Sequence, residues 1–223
     1  MSNVLVVSDV HLGSPVSKVK SLAKILKNEK YDHLIINGDL FDNKHIERYK
    51  NRHWKILSLI RKISKNKKVT FIKGNHDIKS KNIIKILGLD FVDEYELEIN
   101  GKLFLFIHFH QFDPFIFKYP LITSIAENIY YFFQLIDRSR KFSRWVKRTS
   151  KRFLKVKDNI RIKAINHIKN TKYTGIFGGH IHFAETYKDL ESNKEYYNSG
   201  SFCDEPSHYL LINKNGDVSL KEV

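Results

Sequence analysis

The sequence predicts an α/β fold in which two β-sheets pack face to face with helices on their outer sides. Three observations carry this. Short β-rich apolar runs recur through the first half, helical spacings fill several gaps between them, and the C-terminal third reads as strands joined by turns.

In chain order, the strand-like runs are NVLVVS at 3–8, HLIIN at 33–37, KVTFI at 68–72, KLFLFIH at 102–108 and TGIFGG at 174–179. Three of the gaps hold helical patterns. Val19, Leu22, Ile25 and Leu26 repeat at three and four residues, as do Trp54, Leu57, Ile60 and Arg61, and Ile83, Ile84 and Leu87. Strand, helix, strand in that order means a sheet with covering helices. Later the rhythm changes: FAETYKDL, KEYYNSGSF and SHYLLINKNGDVSL read as strands, with Asn215-Gly216 as one of the turns. With no internal repeat and no low-complexity linker, residues 1–223 read as one domain carrying an insertion.

That insertion spans about 114–172 and shows no strand pattern. PLITSIAENIYYFFQLI at 120–136 is apolar nearly all round, with Glu127 its only charge. It is too short, and too interrupted by Lys118 and Pro120, to predict a membrane span. After it, Phe142, Trp145, Val146, Thr149, Phe153, Val156 and Ile160 form one helical stripe, and Lys and Arg fill the other faces. Segments of this kind lie at membrane interfaces or cap a core.

The chain carries a net charge of +15, and its distribution is uneven. Between Arg138 and Lys172 there are fourteen Lys and Arg against the single acid Asp158, a net +13. Such a block attracts polyanions or an anionic membrane surface. The lone Cys203 excludes a disulfide framework and a thiolate zinc cluster, which fits a reducing compartment. Met1 leads straight into NVLVVSDVH with no basic region or cleavage site. The expectation is a cytoplasmic protein, peripheral at the inner membrane face.

Each of the five runs ends in residues able to hold a metal. Asp9 and His11 follow the first, Gly38-Asp39 the second, Gly74-Asn75-His76-Asp77 the third, His108 the fourth, and Gly179-His180-Ile181-His182 the fifth. Ligands of α/β sheets bind beyond the carboxyl ends of strands, so the five ends can converge on one site. Asp-x-His and His-x-His place two ligands on the same side of an extended segment. Asp39 can bridge two ions through its two oxygens, and the Asn75 carbonyl can complete a coordination shell without adding charge. Asp9, His11, Asp39, Asn75, His108, His180 and His182 make a mixed oxygen and nitrogen set without sulfur. That set suits manganese, iron or zinc without choosing between them; two manganese ions are the expectation. Two divalent ions about 3.5–4 Å apart can clamp an attacking and a leaving oxygen, which is machinery for hydrolysing a phosphate ester or anhydride.

The series SDVH, NGD, GNHD, a single His after a strand, and GHIH resembles the signature of the calcineurin-like metallophosphoesterases, over roughly 1–113 and 173–223. The resemblance implies a four-layer sandwich of two mixed β-sheets flanked by helices. It implies that Asp9, His11, Asp39 and His182 hold one ion, and that Asp39, Asn75, His108 and His180 hold the other. His76 would then face the scissile phosphate as a charge-stabilising group or general acid, with Asp77 orienting its ring.

The longer motifs SDVHLGSP, NGDLFDN, HFHQFD and GHIHFAE are similar to the branch of UDP-2,3-diacylglucosamine diphosphatases. That branch carries HGDQFD where this chain has HFHQFD, and it too inserts a helical cap between this motif and GHxH. His110 therefore replaces an acid. Phe109 replaces a glycine and is expected to narrow the space for a phosphate.

Two activities compete. The first is hydrolysis of a nucleotide-linked or phosphorylated lipid; the second is a nuclease or nucleotide phosphodiesterase reading the basic block as a nucleic-acid footprint. A non-enzymatic scaffold is disfavoured because no metal ligand is missing. The aliphatic content of 114–136 exceeds what base stacking needs, so the lipid reading leads; burial of the same surface in a homodimer is the other use for it.

Overall fold

Side chains alternate along a strand, and the first strand has apolar residues on both faces. Val4 and Val6 enter one core while Leu5 and Val7 enter another, and all four are buried. A strand buried on both sides needs two covering layers, and the rest of the chain supplies them. The computed structural model describes residues 3–42, 46–77, 84–85, 87–113 and 151–223. Along the chain these form β1 (Val4–Val7), α1 (Val19–Asn28), β2 (His33–Asn37), α2 (Asn51–Ser64), β3 (Lys68–Ile72), β4 (Asp90–Val92), β5 (Tyr95–Ile99) and β6 (Lys102–Phe106). There follow α3 (Lys151–Ile168), β7 (Gly175–Gly178), β8 (Glu185–Lys188), β9 (Glu195–Asn198), β10 (His208–Ile212) and β11 (Val218–Glu222).

One sheet has the order β11-β10-β1-β2-β3-β4, the other β5-β6-β7-β9-β8. Both are mixed: β1 to β4 run parallel, β10 is antiparallel to its neighbours β1 and β11, and β6, β7 and β9 run parallel between antiparallel edges. Three cores separate four layers. Leu22, Ile25 and Leu26 of α1, with Ile56, Leu57 and Ile60 of α2, pack on one face of the first sheet. Val4, Val6, Ile35, Ile72 and Leu210 meet Phe104, Phe106 and Phe177 between the sheets. Ile160, Ala164, Ile165 and Ile168 of α3 cover the outer face of the second sheet against Leu105, Ile176 and Tyr196. This is the fold class that the sequence predicts.

Two details differ. β4 and β5 escape the sequence reading because both are edge strands, one only three residues long and the other with Glu96 and Glu98 interrupting its apolar positions. α2 is rotated from its predicted stripe: His53, Ile56, Leu57, Ile60 and Ile63 are its buried residues, and Trp54 is 43% exposed. The apolar stretch 120–136, the stripe positions Phe142, Trp145, Val146 and Thr149, and Ile83 lie outside the described residues. Among the described residues no helix is long and apolar enough to cross a membrane.

Candidate metal centre

The carboxyl ends of β1, β2, β3, β6 and β7 all open at the same edge of the sandwich, and cross-links between the sheets fix them there. Between the sheets, Ser8 and Ser199 share a hydroxyl hydrogen bond of 2.7 Å and His108 Nδ1 donates to the Asn37 carbonyl at 2.8 Å; within the second sheet, Asn198 Nδ2 donates to the Gly179 carbonyl at 2.7 Å. Potential ligand atoms of Asp9, His11 and His182 gather within 4.8 Å of one another, as do those of Asp39, His108 and His180. His11 Nε2 and His182 Nε2 are 3.1 Å apart, and His182 Nε2 is 3.2 Å from Asp9 Oδ1. Asp39 Oδ2 lies between the clusters, 3.7 Å from His11 Nε2 and 3.2 Å from His108 Nε2.

The local backbone differs from the extended conformation read from the sequence. Asp9, His11, Asp39, His180 and His182 have φ of 52°, 48°, 53°, 70° and 53°. Left-handed bends, not strand alternation, therefore aim the paired side chains inward. Such conformations cost about 1–3 kcal/mol each and persist where surrounding structure over-determines them. Here the surroundings include glycines: a Cβ on Gly74 would lie 2.0 Å from Asp39 Oδ1, and one on Gly179 would lie 2.2 Å from Asp9 Oδ2. Only a residue without a side chain lets those carboxylates sit where they do.

The electrostatics of the site follow from burial and crowding. Burial alone would raise the Asp9 and Asp39 carboxyls. The surrounding imidazoles, His182 and His108 around Asp9 and His108 and His76 around Asp39, hold both well below the usual carboxylate range. Reciprocally, burial opposes protonation of His108, but Asp39 and Asp9 push it up to about 9.

The donor set fits a pair of divalent ions on independent grounds. Asn75 Oδ1 and His108 Nε2 are buried without a hydrogen-bond partner, and a buried polar atom left so is costly unless something else satisfies it. Cys203 stays outside this set: burial pushes its thiol up to about 12, and Sγ donates weakly towards the Asp9 and Val10 carbonyls.

Two expectations about side-chain roles are corrected. Asp77 does not orient His76. Its carboxylate is fully buried and accepts the backbone N–H groups of Asp39 (2.6 Å), Gly74 (2.9 Å) and Phe41 (3.1 Å), so it clamps two ligand loops together. Burial and the Asp39 carboxylate push Asp77 up to about 7 despite those donors. The acceptor for the His76 ring is main chain: Nδ1 donates to the Asp42 carbonyl at 2.6 Å. Phe109 does not narrow the phosphate space either. Its φ of 81° turns the ring away into the core under α3, where it stacks on Tyr196 at 5.2 Å and 13° and fills the place a Gly178 side chain would need.

His76 Nε2 is 3.9 Å from Asp39 Oδ2, and His11, Asp39 and His76 form a third close group. His110 stands beside the second cluster, its ring 5.7 Å from His108 and 6.5 Å from His180; burial and those two imidazoles lower it to about 4. Sequence reasoning gave no role to two further residues. Asp42 Oδ1 lies 3.5 Å from His11 Nδ1, and Asp113 Oδ2 lies 3.1 Å from His180 Nε2. The signal was present in both motifs, as the second aspartate of NGDLFD and the aspartate of HFHQFD.

A four-layer sandwich with histidines and carboxylates crowded at the strand ends defines a protein built to hold divalent metals. A family model, calcineurin-like phosphoesterase, matches residues 2–204, and the chain belongs to that family of metal-dependent hydrolases. It is similar to a novel archaeal phosphodiesterase at 13% identity and a TM-score of 0.54, with 99% of each chain covered. It is also similar to Yfce, a phosphoesterase from E. coli, at 13% identity and a TM-score of 0.54, covering 99% of this chain and 98% of that one. A single mutant of Vps29 from Entamoeba histolytica superposes with a TM-score of 0.52 at 15% identity, over 99% of this chain and 98% of the other. At these identities the likeness is one of fold. No curated protein matches the chain.

Proposed function

We propose that this phosphoesterase cleaves a phosphoester or pyrophosphate bond in a nucleotide-linked or phosphorylated lipid, as the UDP-2,3-diacylglucosamine diphosphatases do. Asp9, His11, Asp39 and His182 would hold one ion and Asp39, Asn75, His108 and His180 the second, manganese being the first choice. Bound ions would polarise the phosphate and lower the pKa of an attacking water. Donation from His76 Nδ1 to the Asp42 carbonyl fixes the ring. Its Nε2 is then the atom that can stabilise charge on a phosphate oxygen, or hand over a proton to the leaving group when the ring carries one.

One observation carries the lipid reading: the apolar stretch 120–136 enters the chain directly after the site. Asp113 touches His180, and α3, in the last part of the insertion, packs on the same turn through Lys163, whose Nζ donates to the Phe112 carbonyl at 3.0 Å. The described part of the basic block gives less support to a nucleic-acid footprint. Lys157 and Arg161 pair with Glu185, Lys169 with Glu191, and Lys172 with Glu96, so these four charges are met within the chain.

The test is turnover with Mn²⁺ on a UDP-linked diacyl sugar, a phosphatidyl nucleotide, single-stranded DNA and a small chromogenic phosphodiester. Cleavage of an acylated substrate, with a KM that rises when Phe132 and Phe133 become serine while the chromogenic KM stays put, supports the proposal. Salt-sensitive cleavage of DNA, with the acylated substrates spared, refutes it in favour of the nuclease.

A further inference from the structure

The candidate ligand histidines are not free to choose which nitrogen faces an ion. A neutral imidazole has one N–H and one lone pair, so whatever accepts the N–H decides which nitrogen can ligate. His108 Nδ1 donates to the Asn37 carbonyl, which leaves Nε2, buried and 3.2 Å from Asp39 Oδ2, as its ligand atom. His180 has the opposite arrangement. Its Nε2 is 3.1 Å from Asp113 Oδ2, with only 11% and 15% of the two side chains exposed.

The position of Asp113 is set by the fold. After β6 the chain bends at Phe109, then makes one 3-10 turn over His110–Phe112 in which Asp113 N–H donates to the His110 carbonyl at 3.1 Å. The buried Phe109 ring anchors the start of this turn. Lys163 and His167 of α3 hold its end, Nζ on the Phe112 carbonyl and the His167 ring 5.5 Å from that of Phe112. A carboxylate delivered by so constrained a turn is available to orient a neighbouring ring.

We propose that Asp113 is a positioning residue for His180: it holds Nε2 as the N–H, so that Nδ1 is the nitrogen His180 presents to an ion. The inference rests on reading Asp39, His108 and His180 as ligands of one ion. A carboxylate behind a ligating imidazole fixes its tautomer and raises its basicity, and loss of such a partner costs about 10–100-fold in metal affinity. His180 would thus bind through Nδ1 with an anionic partner, and His108 through Nε2 with a neutral one.

The experiment uses the full chain, ¹⁵N-labelled at histidine and titrated with Zn²⁺, with two-bond ¹H–¹⁵N correlations on the His180 ring. Two zinc ions should bind, with His180 Nδ1 metal-bound and Nε2 protonated. Asp113→Ala should weaken the second ion about 10–100-fold and leave the first unchanged, while Asp113→Asn, which keeps an acceptor oxygen, should recover most of the loss. Zinc on Nε2 of the unsubstituted protein overturns the proposal, and that measurement needs no variant to fold. Unchanged affinity for the second ion in Asp113→Ala overturns it too while the two-ion site stands. Fewer than two zinc ions in the unsubstituted protein overturns the site reading and the inference with it.

Discussion

Replacing Phe109 by glycine tests where its ring points and how its backbone is bent. Two effects oppose each other. The ring is fully buried against Tyr196 and Gly178, and truncating a buried phenylalanine costs about 3–5 kcal/mol. The left-handed backbone at φ 81° costs a residue bearing a Cβ about 1–2 kcal/mol, which glycine escapes. Phe109→Gly should therefore destabilise by about 1–4 kcal/mol, lowering the urea midpoint by about 0.5–2 M at a slope of about 2 kcal/mol/M. Phe109→Ala loses the same ring and keeps the backbone cost, so it should be the less stable variant by about 1 kcal/mol. That order is the reverse of the one expected in regular structure. At saturating metal, where any loosening of the Asp113 turn is offset, the KM for a small phosphodiester should not change in either variant, because the ring faces the α3 core and not the metals. A lowered KM at unaltered stability would show that the ring lines the phosphate space. Alanine proving more stable than glycine would show that the backbone is not left-handed there.

Asp77→Ala should leave three backbone N–H groups without their acceptor; relief of a carboxyl already raised to about 7 offsets part of the loss, leaving about 3 kcal/mol in urea unfolding of chelated protein. Lost turnover at full stability would restore a ring-orienting role. His76→Ala should keep two metals and lose about 10²–10⁴-fold in rate; metal analysis checks it, and departure of an ion would make His76 a ligand. His33 is buried beside Thr70, and burial followed by the Lys68 charge lowers it to about 4. A histidine whose folded pKa is depressed adds stability that is complete above about 6.5 and lost as the pH falls to about 4, so His33→Gln should remove up to about 3 kcal/mol of acid sensitivity across that window. Equal falls in urea midpoint between pH 7 and pH 4.5 in both proteins would contradict it.

Both sheets and most of the site were legible because apolar runs ending in Gly38-Asp39, Gly74-Asn75 or Gly179-His180 show in the sequence where strands stop and ligands begin. What stayed hidden has identifiable causes. The acceptor for His76 is the Asp42 carbonyl, and a main-chain acceptor leaves no trace in residue type. The neighbouring Asp77 looked like the orienting acid, yet its carboxylate is taken up by three backbone donors. The bends at Asp9, His11, Asp39, His180 and His182 were hidden for a related reason. Aspartate and histidine enter the left-handed region more readily than most residues, so no glycine marks these positions. An Asp-x-His reads the same whether the chain is straight or bent.

Those bends bear on why the site sits between two sheets. One strand end can supply a pair of ligands, but each candidate ion needs side chains from both sheets: Asp9 and His11 with His182 in one cluster, Asp39 with His108 and His180 in the other. The separation of the clusters is therefore set by how the sheets pack, through Val6, Ile35 and Ile72 against Phe104, Phe106 and Phe177 in the core and through Ser8 on Ser199 at the rim. Asp39 spans the seam, its Oδ1 accepting the His76 N–H and its Oδ2 facing His108 and His11. A strained ligand could relax only by leaving one of these contacts, and the glycines beneath Asp9 and Asp39 leave the carboxylates room for no more than their seats. Inter-sheet packing thus over-determines the five left-handed residues, and the layered core is what holds the ligand geometry ready for metal.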